Sequence, residues 1–202
     1  MTRQNRFKAL ACAVVAVALA MTPVAARAQA LSLSSATVSL AGTSNIHEFT
    51  ASTTDVRMTK LVIAPGINGA AVLANPSAVE AFEIVIKAAS LTSPREGLDK
   101  NMWKALKTDR YPDIVFTLTR LEGTAPALKA TGTLTIAGVE KPVTLDVKAV
   151  AAANTLTVSG ETPILTTDYG IPAVKAMMGM LKTDPKITVK FQTVLAVPAT
   201  TF

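Results

Sequence analysis

His47 is the only histidine in a chain of 202 residues, so any site that uses an imidazole as a general base must be built around it. A nucleophilic triad also needs a nucleophile close to the base and an acid that orients it. His47 lies in a predicted strand at residues 45–51, where alternation places it on the same face as Asn45 and Phe49. We therefore interpret His47 as a structural or ligand-contacting residue. The alternative is an enzyme acting on a small hydrophobic substrate, in which His47 works with Asn45 or Tyr169.

The 14 acidic residues are scattered over strand faces and turns, whereas carboxylate catalysis needs two acids held at one site. The densest charged group surrounds a predicted helix. Its members are Arg95, Asp99, Lys100, Lys104, Lys107, Asp109, Arg110 and Asp113. Two interpretations are open: a helix surface held by salt bridges, or a phosphate-binding rim at a cavity mouth, because Lys and Arg bind phosphoryl groups directly. The sequence has no glycine-rich phosphate loop.

Residues 1–30 have the pattern of an export signal. A basic start is followed by thirteen apolar residues at 9–21 and by small-residue cleavage sites that end at Ala28 or Ala30. The apolar run is shorter than the roughly 18–20 residues that span a bilayer as a helix. We therefore predict a signal peptide over residues 1–30 and a periplasmic protein formed by residues 31–202.

The charges and the cysteine also separate at this boundary. Residues 31–202 carry 16 basic and 14 acidic residues, and Cys12 lies in the predicted signal. The absence of cysteine excludes disulfides, thiol catalysis and cysteine-ligated metals. We also expect no other metal site and no catalytic residue set, since one histidine makes both improbable. A nearly neutral chain gives no electrostatic reason to bind nucleic acid. Its length fits a single domain.

Residues 31–202 are dominated by apolar and polar residues that alternate with a period of two, as half-buried strands require. Segments 133–136 and 143–149 predict an antiparallel hairpin with its turn at 137–142. The other predicted strands lie at residues 34–40, 45–51, 56–63, 81–89, 114–121, 155–160 and 187–197. This many short strands favour a sandwich or a barrel.

Apolar residues recur every three or four positions in residues 97–108 and again in residues 173–181, which predicts a short amphipathic helix in each. The first helix ends before Pro112 and the second follows Pro172. Methionines are concentrated at Met177, Met178 and Met180. Their flexible side chains suit either an ordinary core or a surface that receives a lipid tail.

Three runs of sequence carry a more specific signal: MWKALKTDRYPDIVF at 102–116, ATGTLTIAGVEKPV at 130–143 and TDYGI at 167–171. In this order they resemble the YceI-like family of polyisoprenoid-binding proteins. The second run, a hairpin, is the most specific, and the Tyr-Pro-x-Ile-x-Phe strand entry in the first supports it. The similarity covers nearly all of residues 31–202, beginning with residues 42–49.

The resemblance implies an all-β fold, an eight-stranded antiparallel lipocalin-like barrel with one or two short helices. It further implies an exported protein that holds a polyisoprenoid, such as a polyprenyl phosphate or an isoprenoid quinone, in an apolar cavity without catalysis. Other cofactors are not expected. The residues expected to line the cavity are Phe49, Met102, Trp103, Phe116, Tyr169, Ile171, Met177, Met178 and Leu181.

One position departs from the family pattern, in which a basic residue often stands two places before the Asp-Tyr-Gly-Ile run. Here that residue is Thr166. The head-group candidates are then His47, Arg95 and Lys175, unless the ligand is neutral. A second alternative to a carrier is an accessory protein that presents a quinone to a membrane cytochrome. The expected partners are an isoprenoid lipid, a transient membrane or cytochrome contact and a second copy of the chain.

Overall fold

The computed structural model describes residues 31–67, 69–173, 175–176 and 181–197, so the predicted signal peptide lies outside the described residues. Alternating sequence produces strands over most of this length. The strands are β1 (Ser32–Ser44), β2 (Glu48–Thr53), β3 (Val56–Ile63), β4 (Val79–Lys87), β5 (Asp113–Thr124), β6 (Ala127–Ile136), β7 (Val139–Ala152), β8 (Thr155–Leu165), β9 (Lys175–Ala176) and β10 (Leu181–Ala196). One α-helix, α1 (Glu96–Leu106), and short 3-10 helices complete the described part.

The strands form one antiparallel sheet in the order β2-β1-β10-β8-β7-β6-β5-β4-β3, with β9 paired to β10 outside this path. The two edge strands, β2 and β3, follow one another in the chain and are joined by Thr54 and Asp55. The sheet therefore curls until its edges meet through this connection. The predicted all-β, lipocalin-like fold is confirmed. The predicted number of eight strands is wrong, because all nine segments found by alternation are strands and β9 adds a tenth in the described residues.

The hairpin between β6 and β7 is tighter than the sequence suggests. Ile136 pairs with Val139, and only Ala137 and Gly138 form the turn, with φ of 50° and 78°. Positive φ at both central residues gives the turn type whose twist matches that of paired strands. A Cβ at Gly138 would overlap the ring of Tyr111. This glycine therefore serves the turn and also admits the aromatic residue that follows α1.

Helix α1 confirms the helix predicted at residues 97–108, shifted by one or two residues at its ends. Lys107 stops it in the left-handed conformation, at φ 54° and ψ 48°. Two hydrogen bonds attach α1 to the segment before it. The indole Nε1 of Trp103 donates to the carbonyl of Leu91 at 2.8 Å, and buried Asp99 accepts from the amide of Ser93 at 2.7 Å. These bonds fix the helix across one end of the sheet.

The helix predicted at residues 173–181 is wrong where the structure describes this segment. Lys175 and Ala176 form β9, which pairs antiparallel with Lys182 and Leu181 at the start of β10. A helix of nine residues is marginal by itself, because its first turn costs entropy that few hydrogen bonds repay. The extended β10 instead offers backbone groups that need partners. Met177 and Met178 lie outside the described residues.

Candidate ligand cavity

The curled sheet contains an apolar cavity with two chambers. The outer chamber has a volume of about 360 Å3 and extends between the sheet and α1. The residues that α1 contributes to its wall are Leu98, Asn101, Met102, Ala105 and Leu106. Because they are spaced three or four apart, one side of the helix faces the chamber and the other side faces away from it.

The inner chamber has a volume of about 190 Å3 and is lined by aliphatic and aromatic side chains, together with Thr162 and Thr193. The large residues around it are not tightly packed. No large side chain in the described part of the chain is less than 2% exposed. In a fully packed core, several large inward side chains would have an exposed fraction below this value. The interior is therefore a cavity rather than a solid core.

A single layer of aliphatic side chains belongs to the walls of both chambers. Its members are Val38 of β1, Ile86 of β4, Leu134 of β6, Ile164 of β8 and Val189 of β10. Five different strands contribute one residue each, so the layer encircles the interior. The two chambers therefore adjoin at this layer, which forms a waist between them.

Polar side chains are concentrated at one end of this space. The outer chamber is lined by Ser44, His47, Arg95, Asn101, Thr166, Thr183 and Asp184 in addition to its apolar residues. A space that is apolar in depth and polar at one end matches an amphiphile with a long tail and a small head group.

Ser44, at the end of β1, determines how His47 enters the outer chamber. The Ser44 hydroxyl donates to the carbonyl of His47 at 2.8 Å and accepts from its amide at 3.1 Å. That hydroxyl has one proton, so when it donates to the His47 carbonyl, the 3.1 Å contact between Oγ and Nδ1 of His47 is a hydrogen bond only if Nδ1 is the donor. In the neutral ring, Nε2 is then an acceptor.

The same contacts bear on the enzyme alternative. Ser44 directs its proton to a carbonyl rather than to the imidazole, which is not the arrangement of an activated nucleophile.

The placement of His47 within a strand is wrong, because β2 begins at Glu48 and His47 lies in the turn before it. This turn is tied to β10, since the amide of Lys182 donates to Oδ1 of Asn45 at 2.8 Å.

Arg95 lies just before α1 and lines the outer chamber. It takes no part in the ion pairs found among the described residues. Asp184, in the same wall, accepts a hydrogen bond from the amide of Lys186 at 2.8 Å. The polar end thus holds an unpaired guanidinium, an imidazole acceptor and the Asn101 amide.

Tyr169 lies in a 3-10 helix, Thr166–Tyr169, that follows β8, and it is 3% exposed. Its burial in the apolar wall and the negative charge of Asp168 raise the pKa of its phenol above the ordinary value. Tyr169 is therefore a neutral phenol over the whole physiological range of pH.

The interpretation of the charged group as a helix surface held by salt bridges is wrong for α1. In the described part of the chain, Lys100, Lys104 and Lys107 have no carboxylate within salt-bridge distance. Asp99 is buried and accepts a hydrogen bond from the amide of Ser93, and Asp113 of β5 pairs at 3.5 Å with Arg57 of β3, on the other side of β4. The helix therefore presents its lysines without paired acids.

Most of the predicted cavity residues lie at the cavity. Phe49, Met102, Tyr169 and Ile171 line the outer chamber together with the head-group candidates His47 and Arg95, and Phe116 lines the inner chamber. Trp103 is not part of either wall, since its indole is directed to Leu91. The side chains of Lys175 and Leu181 lie outside the described part, as do Met177 and Met178.

The waist layer, Ser44 and most of the inner chamber were not predicted from the sequence. Among the missed residues, Leu134 and Val189 have a clear signal, because they are apolar positions in alternating strands. Ser44 has no such signal in the sequence. It is a serine beside a turn, two residues before exposed Ile46, and many serines in proteins have such a position.

An antiparallel curled sheet that surrounds an elongated apolar cavity defines the class of lipocalin-like binding folds. The chain matches the YceI-like domain family over residues 29–195 and belongs to that family. No curated protein is significantly similar to it in sequence.

Solved structures share the fold at low sequence identity. BcnA of Burkholderia cenocepacia is 16% identical, with a TM-score of 0.63 over 79% of this chain and 95% of that protein. A polyisoprenoid-binding domain from Saccharophagus degradans implicated in plant cell wall breakdown is 15% identical, with a TM-score of 0.61 over 84% and 99%. The YceI protein of Campylobacter jejuni is 22% identical, with a TM-score of 0.53 over 71% and 84%.

Proposed function

We propose that this protein is a periplasmic carrier or sequestering protein that binds a polyisoprenoid-type lipid in its cavity and catalyses no reaction. The observation that carries the proposal is the waist layer, which joins an apolar inner chamber to an outer chamber with polar groups at one end. Membership in the YceI-like family and a polyisoprenoid-binding structural neighbour support it.

The tail would occupy the inner chamber and pass the waist, with the head group in the outer chamber near His47 and Arg95. Each 100 Å2 of tail surface removed from water contributes about 2.5 kcal/mol. A tail of several isoprene units therefore provides useful affinity by burial alone. The polar groups fix the direction of the ligand rather than supply most of the binding energy.

Residues 1–30 would direct export and be removed, which leaves the chain that the family match covers almost completely. Among the described residues, none of the helices is long and apolar enough to cross a membrane.

Native mass spectrometry of the protein isolated from its own periplasm tests the proposal. We expect a bound mass that organic extraction releases and fragmentation assigns to repeating isoprene units. Ultraviolet absorbance that bleaches on chemical reduction would identify a quinone and favour the cytochrome accessory. Apoprotein alone, together with failure to take up an isoprenoid alcohol from detergent micelles, would contradict the carrier.

A further inference from the structure

The outward side of α1 carries two lysines, and a third follows its last residue. Lys100 and Lys104 are four positions apart and exposed, so they share one side of the helix, and exposed Lys107 ends it in the left-handed conformation. Lys100 and Lys104 lie opposite the side that holds Leu98, Met102 and Ala105 against the outer chamber. Glu96, four positions before Lys100, lies on the lysine side, but none of the three lysines is paired with a described carboxylate.

An exposed apolar side chain borders the same chamber. Ile46 is 60% exposed at the tip of the turn between β1 and β2, while Ser44 and His47 in that turn line the chamber. The turn is held firmly, because Ser44 Oγ accepts from the Ile46 amide at 3.3 Å and the Asn45 amide donates to the carbonyl of Lys182 at 3.1 Å. Asn45, next to Ile46 in the chain, is thereby attached to Lys182, which is also exposed.

We propose that the lysine side of α1, together with exposed Ile46 in a turn at the rim of the outer chamber, docks this protein on an anionic lipid bilayer. Basic residues near a charged bilayer attract it, and a single apolar side chain adds a second, weak anchor. The inner side of α1 is a wall of the outer chamber, so docking through the outer side brings the cavity to the lipid surface. This inference rests on the proposed function, since only a lipid ligand gives docking a purpose.

Vesicle co-sedimentation of the protein as isolated from its own cells tests the surface. Vesicles of equal parts phosphatidylglycerol and phosphatidylcholine are compared with vesicles of phosphatidylcholine alone. We expect binding to the anionic vesicles only, and about a thirtyfold weaker partition for the Lys100→Gln/Lys104→Gln variant. Raised salt should weaken the wild-type binding as well.

The matched control is Lys60→Gln/Lys148→Gln, which removes two exposed lysines from barrel strands and gives the same net charge. It should bind the anionic vesicles like the wild type. Equal loss in both variants, no loss in the α1 variant, or no wild-type binding to anionic vesicles would each overturn the docking surface. Uptake of an isoprenoid alcohol from detergent micelles is measured in parallel. If the protein takes up no isoprenoid alcohol, the carrier function is contradicted. The vesicle result then still decides whether the lysine side of α1 binds an anionic bilayer.

Discussion

The ring of Phe49 lies over Gly42, its direct partner on the neighbouring strand, so closely that a Cβ at position 42 would overlap it. Phe191 has the same relationship to its partner Gly160, and Phe116 lies over Gly132 from a diagonal position on the neighbouring strand. A glycine beneath a ring lets the ring lie flat against the sheet. The cavity therefore depends on small residues in its wall as much as on the large ones.

Gly42→Ala is expected to push the Phe49 ring toward the outer chamber, because the three atoms nearest to the new methyl group would all belong to that ring. Isoprenoid binding should fall severalfold while the fold is kept. Binding is measured by titration with a fluorescent isoprenoid alcohol. The Gly42→Ala/Phe49→Ala variant should recover affinity, and Gly97→Ala, where a methyl meets nothing, should have no effect. A double variant as weak as Gly42→Ala would contradict this account.

Val189→Phe should close the waist between the two chambers, because Val189 lines both. We expect bound lipids with shorter tails, or less bound lipid, in native mass spectra. The matched control is Val150→Phe, which makes the same change at a side chain that is 44% exposed. Overpacking can cost about 1–3 kcal/mol, so thermal unfolding of both variants is recorded. Unchanged lipid masses in a folded Val189→Phe protein would contradict a continuous cavity.

Ser44→Ala should change the tautomer of His47. In the wild type we expect the proton on Nδ1, because the Ser44 hydroxyl donates to the His47 carbonyl and its oxygen lies 3.1 Å from Nδ1. Nitrogen NMR resolves the two ring nitrogens, and the signal is unambiguous because the chain has one histidine. Without the hydroxyl we expect the proton on Nε2 in a larger share of molecules. Ser35→Ala, on the same strand, should leave the spectrum unchanged, whereas an unaltered spectrum in Ser44→Ala would contradict the assignment.

Tyr169 should make unfolding sensitive to alkaline pH. Its pKa is raised in the folded protein, so the unfolded chain ionises first as the pH rises past about 10. The stabilisation present below that pH is then lost as the pH rises through the folded-state pKa. Denaturant unfolding should show a steeper alkaline decline for the wild type than for Tyr169→Phe. Asp168→Asn should reduce the decline in part, because Asp168 is the second cause of the shift.

Alternation predicted the strands well because a half-buried strand repeats its pattern at every second residue, and β3 was located to its exact ends. The prediction of a helix at residues 173–181 was wrong, because apolar residues spaced by three or four positions also fit a short strand followed by another strand. In the described residues, the partner that decided between them was the start of β10, where Leu181 pairs with Ala176 of β9.

The sequence by itself determined the family, the alternating strands, the amphipathic α1 and many of the cavity residues, because each of these is recorded in local order or spacing. Only the tertiary structure decided that Val38, Ile86, Leu134, Ile164 and Val189 form one layer between two chambers. It also decided that Trp103 is directed to Leu91 and that none of the α1 lysines forms an ion pair with a described acid. The reason is physical: closure of the sheet pairs residues as distant in the chain as Ser32 and Ala196, and no local pattern specifies that closure.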